Sequence, residues 1–200
     1  MRKEIIITAA DLYLTYGFKS VTMDDLAGKM GISKKTIYTH FPNKTKLVEA
    51  ATLHILTSID EGIEQIRAKN LNAIVELFEI KKFVLHNLKD EKSSPQFQLK
   101  KFYPKVFEVV QKHHLETMQE CISDNLRKGI SNGLFRPSIS IEFITKMNYV
   151  GMSGIKDLEL FPVEEYPVNE LTEKFMEYHL RAIVTSIGLK TLKEFLTIED

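Results

Sequence analysis

A chain of 200 residues with 44% hydrophobic side chains has ample apolar material for a packed core, and its 27 basic and 27 acidic residues leave no net charge to favour a polyanion or a polycation as a whole. Cys121 is the single cysteine, which excludes an internal disulfide, and the apolar runs at 5–7 and 143–150 are broken by polar residues far short of a membrane span. The amino terminus turns polar too soon for a secretory signal, so a cytoplasmic location with no membrane partner is expected.

The periodicity is helical almost throughout, which predicts an all-α protein. Ile6, Ala9, Ala10, Tyr13 and Tyr16 form a stripe at steps of three and four residues, and Gly17 stands where a left-handed helix stop belongs. Thr22 is placed to cap a helix over about 23–30, whose first turn carries Asp24 and Asp25 against the helix dipole. Gly31 makes a turn, Ser33 caps a short helix over about 34–41, and Pro42 ends it. Asn43 caps a long helix reaching about residue 66. An amphipathic helix follows over 71–88, and 90–96 reads as a loop. Pro104 marks a kink or a new helix start, and the helix beyond it runs to about 130 before the break at 132–138. Two helices, about 141–158 and 169–187, flank 161–167, and a short tail helix is expected after Gly188.

Two helices of about eight residues joined by a three-residue turn containing Gly31, behind a longer first helix, describe a helix-turn-helix. Leu26, Ala27, Met30, Ile32, Ile37 and Phe41 supply its inward set. At about 100° per residue, Lys35 and Thr39 then lie opposite Ile37, with Thr36 and Tyr38 on the flanks. Charge follows the same division. Residues 1–50 hold eight basic against five acidic side chains, the rest of the chain nineteen against twenty-two, and between Leu26 and Val48 there are five basic and none acidic. A helix faced with lysine, threonine and tyrosine fits the DNA major groove: lysine donates to guanine O6 and N7, threonine or tyrosine meets a thymine methyl or a phosphate, and His40 donates to a backbone oxygen. Lys44 and the first N–H groups after Asn43 form a second anion site at a helix start, and Thr22 a third.

The stretch 22–50, TMDDLAGKMGISKKTIYTHFPNKTKLVEA, resembles the amino-terminal domain of the TetR family of transcriptional repressors. The likeness rests on Gly17-Phe18, on the run Thr22 to Leu26-Ala27 to Gly31-Ile32-Ser33, and on Thr36-Ile37-Tyr38 through His40-Phe41 to Asn43-Lys44 and Leu47. It covers about residues 8–50; beyond them only the length, the helix content and the NGLFRP break at 132–137 agree. The resemblance implies a helix-turn-helix DNA-binding domain over 1–48 and a helical effector-binding and dimerisation domain over 49–200. It implies DNA contacts from Thr22, Lys35, Thr36, Tyr38, Thr39, His40 and Lys44, an operator duplex as partner, and a small-molecule effector; Lys34, in the same basic run, is a further DNA-binding candidate. Lys35 departs from the family, which often has glycine or another small residue there, so the operator sequence does not follow.

Ten of the twelve phenylalanines lie beyond residue 50. Phe78, Phe102, Tyr103, Phe107 and Tyr149 are candidates to line an effector cavity, against the simpler account that they fill a helical core. On the last two long helices, Phe143, Met147, Val150 and Gly154 form one stripe and Leu171, Phe175, Tyr178 and Ala182 another, which two copies could close into a four-helix dimer interface, or which one copy could bury internally. His113 and His114 point about 100° apart on a helix and cannot both reach one ion, and Cys121 reads as a small buried hydrophobe, so neither a metal nor a cofactor is expected. No nucleophile motif and no phosphate-cradling glycine loop is present, so catalysis is not expected. The alternative from another class is a helical protein-interaction module that has lost DNA binding.

Overall fold

The computed structural model describes residues 1–89, 93–157, 159–162 and 164–199. Among these residues the regular structure is helical: α1 (Arg2–Tyr16), α2 (Met23–Met30), α3 (Lys34–His40), α4 (Lys44–Arg67), α5 (Ala73–Asn87), α6 (Ser93–Phe102), α7 (Pro104–Ser131), α8 (Ile141–Gly154), α9 (Val168–Ile183) and α10 (Ser186–Glu199). An isolated antiparallel bridge joins Phe135 to Val184. One compact unit comprises Met1–Gly62 with His86–His114, the other Ile63–Leu85 with Leu115–Asp200, and α4, α5 and α7 each contribute to both.

In the first unit, Ile5, Ala9, Leu12 and Tyr13 of α1 meet Leu26, Ala27, Ile37 and Phe41, with Leu47, Val48 and Ala51 of α4 completing the core and Leu99 and Val106 joining from α6 and α7. The buried face of α1 begins one residue earlier than the predicted stripe: Ile5 is sealed, Ile6 is half-buried, and Tyr16 is exposed at the last turn. Gly17 follows with φ +92° but ψ 150°, an extended exit rather than the expected left-handed helical stop, its N–H donating to the Tyr13 carbonyl. The expected loop at 90–96 is overturned at residues 93–96, which begin α6; residues 90–92 lie outside the described residues. Pro104 starts α7 rather than kinking a longer helix, since its ring fits the first helical position, where an N–H would find no intrahelical acceptor.

In the second unit the core gathers Ala73, Ile74, Phe78, Leu126, Leu134, Phe135, Met176, Leu180, Ile183 and Leu192. The break at 132–138 is an extended corner: Gly133 takes φ +69°, Phe135 packs against Gly129, and Arg136 N–H and Thr185 N–H bond Ile183 and Leu134 carbonyls at 2.9 Å each. That pairing ends α9 at Ile183, four residues before the predicted end. The tail helix then starts before Gly188 rather than after it, because the Thr185 hydroxyl accepts the Gly188 N–H at 3.1 Å and so caps α10. Gly188 sits inside that helix where a Cβ would come within 2.1 Å of the Leu134 carbonyl oxygen. Likewise α8 stops at Gly154, short of the predicted 158; residue 158 itself lies outside the described residues.

Candidate DNA-binding surface

The α2–α3 pair is built by local rules. Thr22 accepts from Asp25 N–H at 3.1 Å while Asp25 Oδ2 accepts from Thr22 N–H at 2.8 Å, a reciprocal capping box that fixes the start of α2. Gly31 closes α2 in the left-handed region at φ +65°, and Ser33 Oγ accepts from Thr36 N–H at 3.0 Å to begin α3. Asn43 Oδ1 accepts from Lys46 N–H at 2.9 Å and begins α4. In α3 only Ile37 is buried. One sealed side chain anchors the helix and its other faces are left to solvent.

Of the predicted contact residues, Lys34, Lys35, Tyr38 and Thr39 are exposed and Thr36 and His40 half-exposed. Tyr38 keeps 43% of its surface open, which places its ring outside the core as expected. Lys35 makes no hydrogen bond or ion pair among the described residues, whereas Lys34 is bonded to Asp24 at 2.7 Å; that hydrogen bond holds the Lys34 ammonium above its usual range. Thr36 and Thr39 spend their hydroxyls locally, on Ser33 Oγ at 2.8 Å and on the Thr36 carbonyl at 2.6 Å. Their methyl groups remain for apolar contact.

Thr22 is exposed, but its hydroxyl donates to Asp25 Oδ2 at 2.7 Å. The Thr22 N–H and hydroxyl hold the Asp25 carboxyl below its ordinary range, so it stays an anion beside the hydroxyl expected to meet a phosphate. Lys44 is half-buried, lies 6.0 Å from the Tyr13 ring centre, and donates to the Lys19 carbonyl at 3.0 Å. Burial, reinforced by the Lys19 charge, lowers its pKa, while Asp25 opposes the shift. An ammonium has three hydrogens, so Lys44 retains two for an anion. Sequence reasoning missed Lys19, whose carbonyl supports Lys44, and Arg2, whose guanidinium lies 5.0 Å above the Phe41 ring. Both contacts join separate helices or loops, and no local pattern announces them.

The remaining candidates are scattered. Phe78 is buried in the second core and stacks on Phe195 at 4.7 Å, and Tyr149 is half-buried in α8. Tyr103 and Phe107 instead pack on the first core, and Phe102 is exposed beneath Lys19 and Lys101. The five aromatic residues therefore belong to two different units. On α8 and α9, Phe143, Met147, Val150, Tyr178 and Ala182 are exposed and Gly154 is half-exposed. Leu171, by contrast, is buried within the chain itself, and half-buried Phe175 lies over Gly151, where a Cβ would meet its ring at 2.1 Å. Cys121 is buried, and its thiol is pushed up to about 11 by that burial. Among the described residues no cluster of three metal-ligating side chains occurs, and no helix is long and apolar enough to cross a membrane.

Residues 5–51 match the family profile of bacterial regulatory proteins, tetR family. Over that segment the chain is a member of the TetR family. Its matched segment contains the whole α2–α3 pair and the start of α4, so the DNA-binding helix-turn-helix is the part shared with the family. The chain is 28% identical over 83 residues to the HTH-type transcriptional activator FasR of Mycolicibacterium smegmatis, a match spanning 38% of each protein. It is 24% identical over 148 residues to the transcriptional repressor KstR2 of the same organism, spanning 72% of this chain and 71% of that one. In fold it is similar to a transcriptional regulator from Saccharomonospora viridis in complex with choline, with a TM-score of 0.74 and 21% identity over 92% of this chain and 97% of that one.

Proposed function

We propose that this TetR-family regulator is a cytoplasmic, effector-controlled repressor that binds operator DNA as a homodimer. Residues 1–48 would act as the DNA-binding domain and 49–200 as the effector and dimerisation domain. Each protomer would lay α3 in a major groove, with Lys35 and Tyr38 reading base edges, Lys34, Thr36, Thr39 and His40 flanking them, and Thr22 and Lys44 gripping phosphates on either side. The observation that carries this reading is the construction of α3: one buried residue, Ile37, and an outward face on which Lys35 has no internal partner among the described residues.

The exposed apolar stripe of α8 and α9, Phe143, Met147, Val150, Tyr178 and Ala182, supports pairing of two copies through these helices; Gly154 borders it, while Leu171 and Phe175 would back it from inside the protomer. Half-sites one helical turn apart need recognition helices about 34–36 Å apart. An effector bound within 49–200, for which Phe78, Phe102, Tyr103, Phe107 and Tyr149 are the first residues to substitute, would favour a spacing that no longer fits. It acts only through its differing affinity for the two spacings, and α4, which begins at Lys44, would carry the coupling.

The deciding experiment is a salt titration of DNA binding. Lys44→Ala should weaken binding to every duplex and flatten the log–log salt dependence by about one. An unchanged slope would mean that Lys44 touches no phosphate. Selection from a random duplex pool should return a different consensus for Lys35→Ala or Tyr38→Ala, and the same consensus would remove those residues from base readout.

A further inference from the structure

A chain of hydrogen bonds runs from α6 to the start of α4 through one residue of the α1–α2 loop, entirely within the first unit. Lys19 N–H donates to Gln98 Oε1 at 2.7 Å, and the carbonyl of the same Lys19 accepts from Lys44 Nζ at 3.0 Å. Gln98 Nε2 also lies 3.5 Å from Ser20 Oγ, and the Lys19 ammonium rests 4.9 Å above the Phe102 ring of α6. Gly17 opens the space for this grip. A Cβ there would fall 2.5 Å from the Gln98 amide, at a φ of +92° that side-chain-bearing residues rarely adopt. The loop at 17–20 is thus held by α6 at Lys19 and Ser20, next to the carbonyl that fixes the Lys44 ammonium.

We propose that Gln98 is a positioning residue for DNA binding: by holding the Lys19 amide it sets the Lys19 carbonyl, and through it the direction in which Lys44 presents its remaining N–H groups to a phosphate. The inference rests on the reading that Lys44 meets DNA. It goes further by giving α6 a route to the phosphate grip that does not run along α4. A carboxamide suits the task because its oxygen accepts the loop N–H while its nitrogen reaches the Ser20 hydroxyl. Removing the acceptor would leave the loop free to shift, and Lys44 would then hold its phosphate no better than a solvated lysine.

The test is a double-mutant cycle on DNA affinity and its salt slope, measured by fluorescence anisotropy with a duplex selected from a random pool by the wild-type protein. Lys44→Ala is made in the wild type, in Gln98→Met, which keeps the length but loses the acceptor, and in Gln98→Glu, which keeps the acceptor. In the wild type and in Gln98→Glu, loss of Lys44 should reduce affinity by the same factor and the slope by about one. In Gln98→Met the slope should already be reduced and loss of Lys44 should change little more. Thermal melts establish that each variant is folded at the assay temperature, and because the effect of Lys44→Ala is a ratio within one background, a uniform loss of stability does not imitate the result. If Lys44→Ala costs as much in Gln98→Met as in the wild type, the positioning role is wrong while the Lys44 contact stands. If Lys44→Ala leaves the wild-type slope unchanged, the contact and the inference fall together.

Discussion

The two compact units solve the burial of polar groups differently. Among the described residues, the first unit buries one polar side chain, Thr52, and keeps its charged groups on the rim, where they cap helices or bind loops. The second buries Glu76, Asn125, Thr145, Asn148 and Thr172. Glu76 is the extreme case: Oε1 accepts from Asn125 Nδ2 at 2.9 Å and Oε2 from Lys128 Nζ at 2.6 Å, while Asn125 Nδ2 also reaches the Ala73 carbonyl at 2.9 Å. The contrast teaches where each unit is vulnerable. An apolar core loses stability in proportion to the volume removed, whereas a buried charge fails as soon as one partner is missing.

The contrast can be broken at its strongest point first. Lys128→Ala leaves the buried Glu76 carboxylate without its counter-charge, with only the Asn125 amide beside it, and should cost about 3 to 5 kcal/mol in urea denaturation; a loss under about 1 kcal/mol would mean that water replaces the ammonium freely. Ile37→Ala removes the sole buried residue of α3 and should cost about 3 kcal/mol, with DNA binding lost at temperatures where the second unit still melts cooperatively. Coincident melting of both units would show that they unfold as one. Thr22→Ala removes one half of the α2 capping box and should cost about 1 kcal/mol, while Thr22→Ser should be close to neutral. The mildest effect concerns Cys121. Its thiol, raised from 9.0 to about 11, keeps its proton when folded, so at pH 8 the native protein should resist iodoacetamide under conditions that fully alkylate the urea-unfolded chain. Because the unfolded thiol ionises first, this group's contribution to stability should also decline as the pH rises from 9 towards 11.

What the sequence made legible was local. Thr22, Ser33 and Asn43 were readable as caps because a cap and its acceptor lie three residues apart, and Gly17 and Gly31 because positive φ selects glycine. Ile37 inward and Tyr38 outward followed from helical geometry alone. The Gln98–Lys19 bond, the Lys89 grip on Asp11 at 2.6 Å and on the Thr15 hydroxyl, and the Glu76 network join residues separated by 49 to 79 positions, and no periodicity encodes such pairs. The displaced end of α9 has the same origin: Ile183 stops the helix because its carbonyl is claimed by Arg136. Aromatic content misled for a related reason. It counted Phe102, Tyr103 and Phe107 with the effector region, although the last two pack on the core behind the helix-turn-helix.

The seat of α10 limits how the gene can be trimmed. Leu192 is fully enclosed, Phe195 covers Phe78, and Gly188 lies directly on the Leu134 carbonyl. An open reading frame shortened to end near residue 185 would therefore strip a wall from the second unit and leave Phe78 wet, so a reporter or purification handle belongs after this helix and not in place of it.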